Sequence, residues 1–142
     1  GTDVVFVERT TVLALGEMML TVYPPVTASG DLNEQGLSVL GTAGEFDILV
    51  TGDMAGSTER RLAEIYDLPD VEVLVVSHHG SRYSSDAAFL QAIRPETAVI
   101  SVGDNSYGHP AQETLDRLTE AGASVWRTDE QGAVRITVNG GN

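Results

Sequence analysis

Three short polar clusters carry every histidine of this chain. Asp53 stands in Thr51-Gly52-Asp53, the pair His78 and His79 in Ser77-His78-His79-Gly80-Ser81, and Asp104, Asn105 and His109 between Gly103 and Pro110. Each cluster follows an apolar run, ending at Val50, Val76 or Val102, where a strand would hand over to a loop. Imidazoles and a carboxylate gathered at one edge offer the nitrogen and oxygen donors of a divalent metal site. Adjacent histidines within a strand point to opposite faces, but at a strand-to-loop junction, with Gly80 relaxing the backbone, both can turn toward one ligand. The same residue types allow a second chemistry, with His78 or His79 as base for Ser81 or Ser84 and Asp53 orienting it. Ser81 does not lie in a Gly-x-Ser-x-Gly elbow and no oxyanion loop is recognisable, so the metal reading ranks first. Plainer roles compete with both. A Gly-Asp after a strand is an ordinary turn, His109 falls where an N-cap belongs, and Ser81, Ser84 and Ser85 are capping residues by type.

The clusters converge only if the strands before them are parallel neighbours, so the elements matter. Val4 to Val7, Thr11 to Leu15 and Met18 to Tyr23 read as strands separated by Glu8-Arg9 and Gly16-Glu17, with Pro24-Pro25 stopping the third. Val26 to Gln35 turns to Thr, Ser, Gly, Asp and Asn, a surface loop. Strands resume at Leu37 to Leu40 and Phe46 to Val50, joined by Gly41 to Gly44. After Asp53 the period lengthens, and Leu62, Ile65 and Tyr66 share one face of a helix of about ten residues opening at Ser57 or Thr58. Val71 to Val76 is apolar enough for a strand buried on both faces. A helix over Ser85 to Ile93, a strand over Thr97 to Val102 and a helix from Pro110 to a stop at Gly122 follow. Ser124 to Arg127 and Ala133 to Val138 close the chain as strands around a turn at Asp129 to Gly132. The expected architecture is α/β, a strand meander and then helices alternating with strands of a mixed sheet, whose C-terminal strand ends collect ligands.

Composition narrows the chemistry. The 142 residues are 42% hydrophobic, enough for one domain with a sizeable core, and residues 1–142 read as a single, partial domain. Cysteine is absent, which removes disulfides, thiolate ligands and cysteine nucleophiles. All eight cations are arginines against 21 acids, a formal charge of -13, so no lysine forms a Schiff base and no broad basic track meets nucleic acid. No apolar run approaches the roughly 18 residues of a membrane span, and the chain is expected to be soluble. Its start lacks an initiator Met and suggests a processed or excised piece. No Walker-type phosphate loop or dinucleotide fingerprint is present.

Taken in order, several segments resemble the metallo-β-lactamase-like domain of the ComEC/Rec2 family of bacterial competence proteins. They are Leu49 to Asp53, Glu59, Val75 to Ser81 with Ser84-Ser85, Val99 to Gly103, Asn105 to Pro110 and Arg127 to Gly132. Asn33 to Ser38 is similar to the family's Asn-x-x-Ser segment. The resemblance implies an αββα metallo-β-lactamase-like fold and a dinuclear zinc or manganese site acting on a phosphodiester, nuclease-like hydrolysis in DNA uptake. It implies a parent in the bacterial cell membrane, with DNA or another phosphodiester as substrate. Asp53 matches the bridging carboxylate, and His79, or else His78, matches a terminal metal ligand. His78 would then contact a phosphate oxygen, with Ser81, Asn105 and His109 lining the same cleft and His109 or Arg82 meeting phosphate charge or assisting the leaving oxygen. The family's His-x-His/Asp-x-Asp-His motif has no counterpart before Thr51, and no histidine precedes His78. The chain is therefore expected to be the C-terminal half of the domain with at most half its ligands, weak in metal binding and in turnover. It would be completed by the missing N-terminal half-domain or a second copy of itself. The alternative is a non-catalytic structural or interaction module of the uptake channel.

Overall fold

The computed structural model describes residues 1–28 and 30–138, so that Ser29, inside the expected surface loop, lies outside it. Seven strands form one sheet in chain order: β1 (Thr11–Leu15), β2 (Met18–Tyr23), β3 (Ser38–Ala43), β4 (Phe46–Val50), β5 (Val73–Val75), β6 (Thr97–Ile100) and β7 (Ser124–Arg127). The first three pairings are antiparallel and the last three parallel. The parallel strands are joined by α1 (Gly56–Ile65), α2 (Ala87–Ile93) and α3 (Gln112–Glu120), and a one-turn α4 (Thr128–Gln131) follows β7. Right-handed crossovers that always step in the same direction put all three connecting helices on one face.

The register explains the core. Leu40, Leu49, Leu74, Ala98 and Val125 stand opposite one another across five strands. They pack with Leu62, Phe89, Leu90, Ile93 and Leu118 of the helices in a single cluster. One residue along, Val22, Val39, Val50, Val75, Val99 and Trp126 form a second row, which faces the other side of the sheet. That row is only partly covered: Val50 is 38% exposed and Trp126 47%.

Both hairpins turn on Gly-Glu. Gly16 and Gly44 take φ of 64° and 65°, the left-handed conformation that a two-residue hairpin needs and that glycine adopts without strain. Strand β3 therefore runs on to Ala43, past the connector expected from Gly41. A Cβ at Gly41 would meet the Ile48 side chain at 3.1 Å, so this glycine makes room for its neighbour and marks no turn.

Three expectations need correction. Val4 to Val7 forms no strand: among the described residues β1 pairs only with β2, as the sheet edge, and Val4, Val5 and Phe6 are exposed. Ala133 to Val138 joins no ladder; residues 133–136 line a recess of about 460 Å³ beside Val73, Thr97 and Trp126. Asp129 to Gln131 is helical, because Arg127 pairs with Asp129 and Glu130 and Thr128 bonds back to the Val102 backbone.

Candidate functional site

Strands β4, β5 and β6 are adjacent and parallel, so the loops after Val50, Val75 and Ile100 open at one edge, as the sequence requires. After β5 the chain makes a tight turn over Ser77–Gly80 in which His78 and His79 both have left-handed backbones, φ 51° and 53°. Non-glycine residues cost about 1 kcal/mol or more each in such conformations and hold them only where the surroundings insist. Here the His78 N–H donates to the Gly52 carbonyl, and the Ser77 hydroxyl reaches the carbonyls of Gly52 and Met54. The histidine turn is thereby tied to the loop that carries Asp53.

The ring of His79 is aimed. Its Nδ1 lies 2.7 Å from the Ser101 carbonyl, which only accepts, so Nδ1 carries a proton and, in the neutral ring, Nε2 keeps its lone pair. That Nε2 faces the Asp53 carboxylate across 4.0 Å, about twice an ordinary zinc-to-ligand distance. Orientation by a carbonyl behind the ring and a free nitrogen opposite a carboxylate is what a metal-ligating histidine needs. These two residues fit as part of a ligand set. No third ligand is brought in, and among the described residues no group of three or more His, Cys, Asp or Glu is arranged to hold an ion.

His78 and His109 meet edge to face with ring centroids 5.6 Å apart, and Tyr107 stacks beyond His109 at 6.0 Å. Burial, and then the electrostatic influence of the neighbouring His78, His79 and Arg82, hold the His109 imidazole below its ordinary pKa. It is therefore predominantly neutral at pH 7, and among the described residues its buried Nδ1 has no hydrogen-bond partner. His79, Asp104, Asn105, Tyr107 and His109 border a recess of about 210 Å³. Arg82 is exposed, and its guanidinium has no ion pair or hydrogen bond among the described residues.

Two of the expected site residues are spent on architecture. Asn105 Oδ1 accepts from the N–H groups of Tyr107 and His109, while its Nδ2 donates to the carbonyls of Gly103 and His109. This one amide closes the loop. Ser81 is buried, and its carbonyl accepts from the hydroxyls of Ser84 and Thr114. Ser81 meets His78 only through the backbone, its N–H donating to the His78 carbonyl at 2.9 Å; among the described residues neither the Ser81 nor the Ser84 hydroxyl is hydrogen-bonded to an imidazole, and the triad alternative finds no side-chain contact to rest on.

Sequence reasoning passed over Glu34. Its carboxylate crosses from the surface loop to accept from the Ala55 N–H and the Thr58 hydroxyl. It caps α1 from outside, which is why the helix opens at Gly56 with no side chain of its own at the N-cap. An acid in a polar loop gives no local signal of such a reach.

A meander running into parallel strands, with polar loops at their C-terminal edge and one helical layer, defines a metallo-β-lactamase-like fold. The same architecture appears in a mutant of CmlA beta-hydroxylase, with TM-score 0.56 and 15% identity over 89% of this chain and 32% of that one. No protein-family model matches. Among curated proteins the chain is 31% identical over 137 residues to ComE operon protein 3 of Bacillus subtilis, covering 95% of this chain and 18% of that protein. It is 40% identical over 102 residues to competence protein ComA of Neisseria gonorrhoeae, covering 70% and 15%. It is 32% identical over 105 residues to recombination protein 2 of Haemophilus influenzae, covering 73% and 13%. The chain belongs to the ComEC/Rec2 family of competence proteins, and it spans less than a fifth of the length of these relatives. Among the described residues no helix is long and apolar enough to cross a membrane.

Proposed function

We propose that this chain supplies part of a metal-dependent phosphodiester hydrolase site, nuclease-like, in a membrane protein of bacterial DNA uptake. The observation that carries the proposal is the aimed pair: His79 Nε2 with its lone pair free, 4.0 Å from Asp53. Asp53 and His79 are the residues that would hold a zinc or manganese ion, with His78 nearest in sequence as a further donor. When bound, a divalent cation supplies Lewis acidity toward a phosphoryl oxygen. The chain's own residues do the rest. Arg82, whose guanidinium is unpaired among the described residues of an acidic chain, meets phosphate charge. His109, neutral at pH 7 and edge-on to His78, is the group able to exchange a proton with a substrate oxygen. Asn105 and Ser81 act by fixing the loops that carry these groups.

Manganese and zinc titrations of the chain test this directly. Weak binding is expected in the parent, falling at least about tenfold in Asp53→Ala and in His79→Ala, the loss typical of removing a ligand or its support. Unchanged binding in both variants defeats the proposal. Hydrolysis of a phosphodiester that persists in excess chelator would return the choice to Ser81.

The incomplete ligand set favours a second reading, a structural or interaction module of the uptake channel. Both readings share one expectation. The apolar row from Val22 to Trp126 takes a complementary half-domain or, without one, a second copy of the chain. Light scattering should give a mass that rises toward the dimer with concentration, and a strict monomer at high concentration would rule out the second copy.

A further inference from the structure

Tyr107 is the oddest residue near the site. The residue is 81% exposed, although tyrosine usually covers most of its surface. It does not hang free. Asn105 Oδ1 accepts from its N–H at 3.0 Å and from that of His109 at 3.1 Å, so that the loop is closed around one amide. One face of the ring lies over His109 with the planes 23° apart. Three rings, Tyr107, His109 and His78, thus step inward from solvent to the histidine turn, and the outermost face of the series is open.

An open, held aromatic face beside a phosphate-directed site suits one partner chemistry, a planar base on the same molecule as the phosphate. Electrostatics points the same way. With 21 acids and eight arginines the chain has little basic surface to follow a backbone, so affinity for a nucleic acid must come largely from contacts that do not depend on charge. Base stacking on an aromatic side chain is such a contact, and it tolerates any sequence because every base has a π face. A paired duplex keeps those faces against its own neighbours, whereas an unpaired strand offers them. Because Asn105 already fixes the loop, little ordering is left to oppose binding.

We propose that Tyr107 is a stacking platform for an unpaired nucleobase, so that the site takes single-stranded nucleic acid by base and phosphate together. The proposal rests on the phosphodiester reading above and names its substrate class. The platform lies on the rim of the recess bordered by His79 and His109, with Arg82 near enough for its charge to be felt at His109.

Fluorescence polarisation at low salt tests it on the full chain with a short oligodeoxythymidylate, an abasic deoxyribose-phosphate oligomer of the same length, the matching oligouridylate and a duplex. The base-bearing single strands should bind roughly 5- to 100-fold tighter than the abasic oligomer. Tyr107→Leu should erase that difference while leaving abasic binding alone, and Tyr107→Phe should keep it. A preference for the base in either sugar supports the platform, and the two arms tell deoxyribose from ribose sources. Equal affinity for base-bearing and abasic oligomers, duplex binding as tight as single-strand binding, a preference that survives Tyr107→Leu, or no binding at all overturns it. None of these arms reads metal or turnover. A chain that prefers bases yet fails the Asp53 and His79 titrations would keep the platform and lose the hydrolase.

Discussion

A Glu59→Gln chain will be more stable than the parent at pH 8, and the advantage will shrink as the pH falls toward 4.5. Glu59 lies on α1 and is fully buried. Its Oε2 accepts from the Asp86 N–H at 3.0 Å, and its Oε1 has no partner among the described residues. Burial drives its pKa from 4.5 up to about 8, overcoming the N–H groups of Asp86 and Ser85 and the charge of Arg117, which favour the ionised form. The folded chain thus holds a proton that the unfolded chain has lost between these two pH values. Stability falls as pH rises wherever the folded state binds more protons. Each pH unit costs about 1.4 kcal/mol, so this one group removes on the order of 5 kcal/mol across the window. A glutamine keeps the acceptor for Asp86 and cannot ionise. Urea unfolding of both chains at several values from pH 5 to pH 8.5 should give stabilities that diverge steadily, and parallel curves would sink the idea. The consequence reaches the site. Asp86 ends the loop that leaves the histidine turn, caps α2 through its own side chain and pairs with Arg60. An ionised Glu59 would loosen the far end of that loop at mildly alkaline pH.

Much of the sheet was legible because its signals are local. β1, β2, β4 and β7 have the limits their alternation and flanking turns imply, and Pro24 follows directly on β2. The site's position was legible for a related reason. Parallel neighbours with consecutive crossovers bring their C-terminal ends together whatever the side chains are, so Asp53, the histidine pair and the His109 loop had to share an edge. Most of the misreadings involve distant partners. Val4 to Val7 has the composition of a strand and no edge to pair with. Gly41 reads as punctuation until Ile48 is set opposite it. Ser57 and Thr58 looked like caps because Glu34, more than twenty residues earlier, was invisible as one. Within the site, residue type named Asp53 and His79 but could not supply the Ser101 carbonyl that decides which nitrogen of His79 is free. Asn105 and Ser81 were placed in the cleft by resemblance, and the hydrogen-bond pattern gives them the loops to hold.

Gly80→Ala will destabilise the chain by about 2–4 kcal/mol, well beyond the usual cost of placing alanine in a left-handed conformation. Gly80 ends the histidine turn with φ 77°, and a Cβ there would sit 2.7 Å from Pro110 Cβ and 3.2 Å from Pro110 Cα. Proline's ring cannot rotate away, so the backbone on one side or the other must move. The two segments are also bonded, since the Ala111 N–H donates to the Gly80 carbonyl at 2.8 Å. Pro110 follows His109 directly, which makes this contact the joint between the histidine turn and the loop that presents His109 and Tyr107. Gly122 provides the comparison. Its φ is 87°, and a Cβ would meet nothing within 4 Å, so Gly122→Ala bears the conformational cost alone, about 1 kcal/mol. The difference between the two variants in urea unfolding isolates the packing at the joint. The histidine side-chain NMR signals should shift in Gly80→Ala, as the edge-to-face approach of His78 and His109 opens, and stay in place in Gly122→Ala. Equal destabilisation by the two alanines would mean that the turn and the loop are not wedged against each other, and the arrangement of imidazoles would then need another cause.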